Sequence, residues 1–141
     1  MPTNAERFSV DTSVAVAALD AGHAAHRVCL GAVRERRPGL AGHAAFETFS
    51  VLTRMPGPLS IDAPTARDII SRVFRDVHWL TSDAARALLD RLGTVGIVGG
   101  AVYDALVGEA ARTNNTRLLT RDQRARRTYD LLGVSYELLD A

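Results

Sequence analysis

A chain of 141 residues with 47% apolar residues, 23% charged residues and a net charge of +1 has the composition of a globular protein with a real core, which excludes wholesale disorder. All 17 basic residues are arginine, which excludes a phosphate loop built on its lysine, Schiff-base chemistry on an amine, and a receiver domain of the usual kind. No apolar run approaches the roughly 20 residues of a membrane span, and the opening "MPTNAERF" lacks the basic start and apolar stretch of a secretory leader, so a cytoplasmic location without membrane association is expected.

The first element is a short strand, "RFSV", stopped by Asp11, after which "SVAVAAL" starts a helix. A second helix, 24–37, carries Val28, Ala32 and Val33 at near-helical spacing and stops at Pro38-Gly39. The lone cysteine, Cys29, falls in this helix and reads as a small buried hydrophobe. "GLAG" is a candidate strand, and the helix 44–54 after it puts Phe46, Phe49 and Leu52 on one face. "MPGPLSID" breaks that helix. Asp62 caps the next one, 63–74, and "DVHWL" reads as a strand.

Thr81 or Ser82 caps "DAARALLDRL", which gives way to the glycine-rich "GTVGIVGG". "AVYDALVGEAARTNN" is helical and ends in asparagines suited to a left-handed cap; "RLLT" is a strand, "DQRARRTYDLLG" a helix closed by Gly133, and "VSYELL" the last strand. This alternation predicts an α/β chain: one domain over 1–141, in three α/β/α layers around a central, mostly parallel sheet. Ligands of such folds sit beyond the carboxyl ends of the strands, where Asp11 and Asp122 both fall.

Each acidic candidate has an ordinary reading beside the chemical one. Asp11 and Asp122 stand between a strand and a helix, so either can be an N-cap. Asp104 suits the positive end of its helix, yet Gly99, Gly100 and Gly108 around it leave room for a ligand. Glu47 shares a helical face with Ser50, Val51 and Arg54 and can be a solvated surface residue. If the carboxylates converge, an all-oxygen set favours hard cations, Mg²⁺ or Mn²⁺, over zinc, and like charges leave such a site half-formed without its metal. Phosphodiester hydrolysis is the reaction that fits.

The stretches "FSVDTSVAVAAL", "HAAFETFSVLTRMPGP", "GGAVYDALVGEAA" and "LLTRDQRARRTYDLLGVSYELL" resemble, in order and spacing, the sequence blocks of PIN-domain ribonucleases, specifically the VapC toxins of toxin–antitoxin pairs. The resemblance runs from about residue 7 to 139. It implies that Asp11, Glu47, Asp104 and Asp122 are the catalytic metal ligands in that order, with Ser13 supporting the first and Thr120 preceding the last. It further implies Mg²⁺ as cofactor, an RNA substrate such as a tRNA or rRNA loop, a VapB-type antitoxin and a homodimer. A fifth acid found in some relatives has no counterpart, since Gln123 and Arg124 follow Asp122.

Arg121 and Arg124 beside Asp122 are candidates for RNA-backbone contact, because arginine's planar fork suits phosphate; Arg34, Arg36 and Arg37 read as a solvated helix face. His23 and His26 lack a third ligand for zinc. His43 and His78 read as polar or packing residues, and "GTVGIVGG" lacks the spacing of a dinucleotide loop. "VFRDVHWL" with Trp79 serves a partner contact or the core. A PIN-like module that binds RNA or a partner without cutting is the alternative reading, and a dehalogenase-type phosphatase fits poorly, since Ser13 stands where its second aspartate is needed.

Overall fold

The computed structural model describes residues 6–56 and 60–140. Five strands, β1 (Phe8–Val10), β2 (Gly39–Ala41), β3 (Val77–His78), β4 (Arg117–Thr120) and β5 (Tyr136–Leu138), form one sheet in the order β3-β2-β1-β4-β5, and every adjacent pair is parallel. Parallel neighbours require crossovers, which the helices supply. These are α1 (Thr12–Leu19), α2 (His26–Arg36), α3 (Ala44–Arg54), α4 (Ala63–Val73), α5 (Ser82–Val95), α6 (Ala101–Thr113) and α7 (Arg126–Leu132).

The helices split into two layers, each with its own core. On one face α1 to α4 pack on Val10, Leu40 and Leu119, burying Val14, Cys29, Leu52 and Phe74. On the other, α5 to α7 bury Leu88, Ala105, Val107, Tyr129 and Leu132 against Leu118. Strands covered on both faces are buried continuously rather than alternately, as "FSV", "GLA" and "RLLT" are, the polar Ser9 and Thr120 included. From β1 the chain steps out to β2 and β3, then returns to lay β4 on the far side of β1. The order therefore reverses between β1 and β4, and a crevice opens at their carboxyl ends.

Several expectations need correction. The glycine-rich stretch after residue 92 does not end the fifth helix, because Gly93, Thr94 and Val95 remain helical and the left-handed Gly96 forms the cap. The last helix is preceded by a 3₁₀ turn at Gln123–Ala125. Phe46 does not share the core face of α3, which buries Ala44, Thr48 and Leu52 instead. The turn after α2 is made by Arg37, whose φ of 48° is left-handed, before Pro38-Gly39 is reached. Part of the expected break "MPGPLSID", residues 57–59, lies outside the described residues.

Gly108 does not open space for a ligand. A Cβ there would meet Tyr129 Cδ1 at 2.8 Å and Val134 Cγ2 at 3.0 Å, so the missing side chain is what lets the Tyr129 ring lie against α6. Gly99 and Gly100 do have open space around them.

Candidate active site

Asp11 ends β1 at the floor of the crevice, with only 4% of its surface exposed. Its Oδ1 accepts the Val14 backbone N–H at 3.3 Å, capping α1, and the Ser13 hydroxyl at 2.5 Å. Its Oδ2 accepts the Thr120 hydroxyl and, at 3.2 Å, the Tyr129 phenol. The cap and the held carboxylate are thus one arrangement. Each hydroxyl also ties Asp11 to the end of β4: Ser13 Oγ accepts the Arg121 N–H at 2.9 Å, and Thr120 Oγ1 accepts the Asp122 N–H at 3.0 Å.

Burial pushes the Asp11 carboxyl above its ordinary range, and the four hydrogen bonds from Ser13, Thr120, Val14 and Tyr129 pull the other way. It accepts from donors, but no arginine among the described residues forms an ion pair with it. Burial and the Asp11 charge also drive the Tyr129 phenol far above its usual pKa, so it stays protonated and keeps donating.

The other acids surround this floor from different elements. Glu47, half-buried in the first turn of α3, accepts the Thr12 hydroxyl at 3.0 Å. Asp122 caps the 3₁₀ turn through the N–H groups of Arg124 and Ala125 at 3.0 and 3.3 Å. Asp104 lies in the first turn of α6 and makes the convergence measurable: its carboxyl is pushed up to about 6. Burial is the largest cause, followed by the charges of Asp122, Glu47 and Asp11, while Arg124 pulls it down.

The fold therefore brings the acids into one electrostatic neighbourhood. As placed, no group of three or more His, Cys, Asp or Glu side chains among the described residues is close enough to hold a metal ion. In chemistry the donor set nevertheless suits a hard divalent cation: all the candidate donor atoms are oxygen, and the repulsion of the neighbouring acids at Asp104 is what a cation would relieve.

The two arginines nearest the site behave differently. Arg124 is exposed at the rim, and its charge reaches Asp104. Arg121 turns inward: its Nε and Nη1 are buried without a hydrogen-bond partner, and its charge acts on Cys29 of α2. Among the histidines, His26 Nδ1 bonds the Ala17 carbonyl oxygen at 2.9 Å, His23 Nδ1 accepts the Ala25 N–H at 3.0 Å, and buried His78 bonds Ser9 Oγ at 2.6 Å.

Sequence reasoning missed Tyr129. Nothing in "RRTYDLL" announces contact with a residue 118 positions away. Its place on the apolar face of α7, with its hydroxyl needing a buried partner, was the available signal.

The profile of the PIN domain matches residues 9–131. The chain is 44% identical over 131 residues to Ribonuclease VapC40 of Mycobacterium tuberculosis, covering 92% of this chain and 96% of that protein. It is 41% identical over 127 residues to Ribonuclease VapC27 of the same organism, covering 90% and 93%.

In fold it is similar to M. tuberculosis VapC20, described as a sarcin-ricin loop cleaving toxin, with a TM-score of 0.65 at 22% identity over 86% of this chain and 94% of that one. A Rickettsia felis VapBC2 structure bound to a promoter DNA fragment has a chain that matches with a TM-score of 0.64 at 15% identity, over 94% and 98%. With a parallel five-stranded sheet, acids gathered at the carboxyl ends of its strands, and relatives matched over nearly their full lengths, this chain belongs to the PIN-domain family, in its VapC group.

Proposed function

We propose that the chain, acting as one domain, is a cytoplasmic Mg²⁺-dependent endoribonuclease and the toxin of a pair restrained by a VapB-type antitoxin. The observation that carries the reading is Asp104, whose carboxyl is raised first by burial and further by the charges of Asp122, Glu47 and Asp11, acids from three other elements. Four acids from four different elements at a strand-order reversal are costly to the fold unless a positive or phosphate-binding partner completes them. The names of the 41–44% identical relatives, both ribonucleases, support RNA as the substrate. A tRNA or rRNA loop is the kind of target proposed; the sarcin-ricin activity described for VapC20 supports that class. A homodimer and Mn²⁺ as a substitute metal complete the proposal, and no helix among the described residues is long and apolar enough to cross a membrane.

Asp11, Glu47, Asp104 and Asp122 would hold the cation. When bound, it supplies Lewis-acid activation of water and neutralises charge on a phosphate. The chain's own residues prepare the rest. Ser13, Thr120 and Tyr129 orient the Asp11 carboxyl and oppose, without cancelling, the rise that burial imposes on it. Thr12 fixes Glu47, and the N–H groups of Arg124 and Ala125 fix Asp122. Arg124, exposed at the rim, binds the RNA backbone.

The test is incubation of total cellular RNA with the purified chain in Mg²⁺, Mn²⁺ or EDTA beside Asp104→Asn. Discrete, metal-dependent cuts absent from the variant are expected. No cuts by folded protein that still binds RNA would move the reading to a non-catalytic PIN module.

A further inference from the structure

Beside the carboxylates stands a row of aromatic rings. Tyr103 directly precedes Asp104 and Phe46 directly precedes Glu47, and these rings are 54% and 62% exposed. His43 joins them: its ring stacks on Tyr103 with centroids 5.5 Å apart and lies 6.2 Å from Phe46. Phe46 lies 5.5 Å from Trp79, itself 50% exposed. The topology explains the alignment. His43 follows β2, Trp79 follows β3 and Tyr103 opens α6, so all stand at the same edge of the sheet as Asp11 and Asp122.

At the Trp79 end, the row runs into a groove of about 420 Å³ between α3, α4 and β3. The charged side chains lining it are Arg67 and Arg75, with no acid among them, and neither arginine has an ion pair among the described residues. Packing does not account for Tyr103, Phe46 and Trp79, since each leaves half or more of its surface in water, while the partly buried His43 links Tyr103 to Phe46. A line of aromatic faces beside unpaired guanidinium groups has the chemistry that holds unpaired nucleotides, with bases stacked on rings and phosphates on arginine.

We propose that Tyr103, His43, Phe46 and Trp79 form a stacking platform for the single-stranded segment of the RNA next to the cut, with Arg67 and Arg75 holding its backbone. The inference rests on RNA being the substrate. It makes substrate choice depend on a run of unstacked bases that reaches from the carboxylates towards α4, so a continuous duplex is rejected.

Trp79 is the chain's only tryptophan, and its fluorescence reports on the platform. The whole chain is titrated with single-stranded oligouridylate and oligoadenylate in EDTA, where nothing is cut, with a duplex of the same length as control. Single strands are expected to quench Trp79 and the duplex to bind more weakly. Phe46→Ala and Tyr103→Ala each lower single-strand affinity by roughly fivefold to a hundredfold, and Tyr103→Phe restores it. Arg75→Ala flattens the slope of log affinity against log salt by about 0.7.

Unquenched Trp79 with unchanged affinity in the alanine variants overturns the proposal. So does a dimer that Phe46→Ala converts to monomer while RNA affinity stays intact, because a second copy then covers this face. Cleavage is assayed separately in Mg²⁺. Quenching without any cutting sinks the nuclease and spares the platform, whereas discrete cutting with variants that bind like wild type sinks the platform alone.

Discussion

Two carboxylates are buried among the described residues, and their surroundings are opposite. Glu109 on α6 is clamped by arginine: Arg112 Nε and Nη2 reach its two oxygens at 2.7 and 2.9 Å, and Arg91 Nη1 donates at 3.2 Å. Burial pushes the Glu109 carboxyl up, but Arg112 and Arg91 outweigh it and hold it below the ordinary range. Asp11 receives only neutral donors, and its carboxyl ends above that range. Glu109 has its counter-charges supplied by the fold and so serves structure: Arg91 also bonds the Leu132 carbonyl oxygen, tying α5 to α6 and α7. Asp11 is organised but not neutralised, and three further acids are brought near it. Stability alone does not select that arrangement, which is what the proposed cation would complete.

The sharpest way to break the contrast is at Asp104. Asp104→Asn is expected to lower RNA cleavage by about a hundredfold or more, while raising the melting temperature in EDTA by a few degrees because one repelling charge is gone. A variant that is both less active and less stable would assign Asp104 to structure.

Glu109 should respond in the reverse sense. Glu109→Ala leaves Arg91 and Arg112 without their partner and is expected to cost about 3 kcal/mol in urea unfolding, with cleavage per folded molecule within about twofold of wild type. A loss under 1 kcal/mol would show that the clamp is dispensable.

Protonation separates the two regions again. The folded pKa of Asp104 is about 6 against an ordinary 3.8, so the fold binds a proton there that the unfolded chain releases. Its contribution is fully present below about 3.8 and lost as pH rises through about 6. Glu109, lowered from 4.5, contributes above its unfolded pKa and is lost as pH falls through its folded one. The metal-free protein should therefore gain stability between pH 7 and 5 and lose it in stronger acid; Asp104→Asn should reduce the first limb, to which the raised Asp11 also contributes, and Glu109→Gln the second. Thermal melts across pH in EDTA check both.

The smallest effect is expected at Tyr129→Phe, which removes one donor from Asp11 and should cost about 1 kcal/mol of stability in urea. No change would mean that Thr120 alone satisfies Oδ2.

Local chemistry made much of this legible in the sequence. Apolar strands each followed by a helix signalled a parallel sheet, and an acid within two residues of the end of two of those strands placed Asp11 and Asp122 at its carboxyl edge. What stayed hidden was non-local or a matter of facing. Tyr129 reaches Asp11 across 118 positions, and the Glu109 clamp joins α5 to α6, so no periodicity reports either. The phenylalanines of α3 looked like one core stripe, yet Phe46 faces water beside Trp79 because Ala44, Thr48 and Leu52 form the buried face. Gly93 was read as a break, but burial of Leu88 and the partly buried Leu92 and Val95 carries α5 through it at a modest propensity cost.

The most direct test is calorimetric titration of Mn²⁺ into the chain and into Asp104→Asn at pH 6, in two buffers that differ in ionisation heat. An organised but unneutralised carboxylate site predicts that wild type binds the ion and releases a proton, and that the variant binds at least about tenfold more weakly without releasing one. Equal binding by both proteins, or no binding by wild type, would contradict the account.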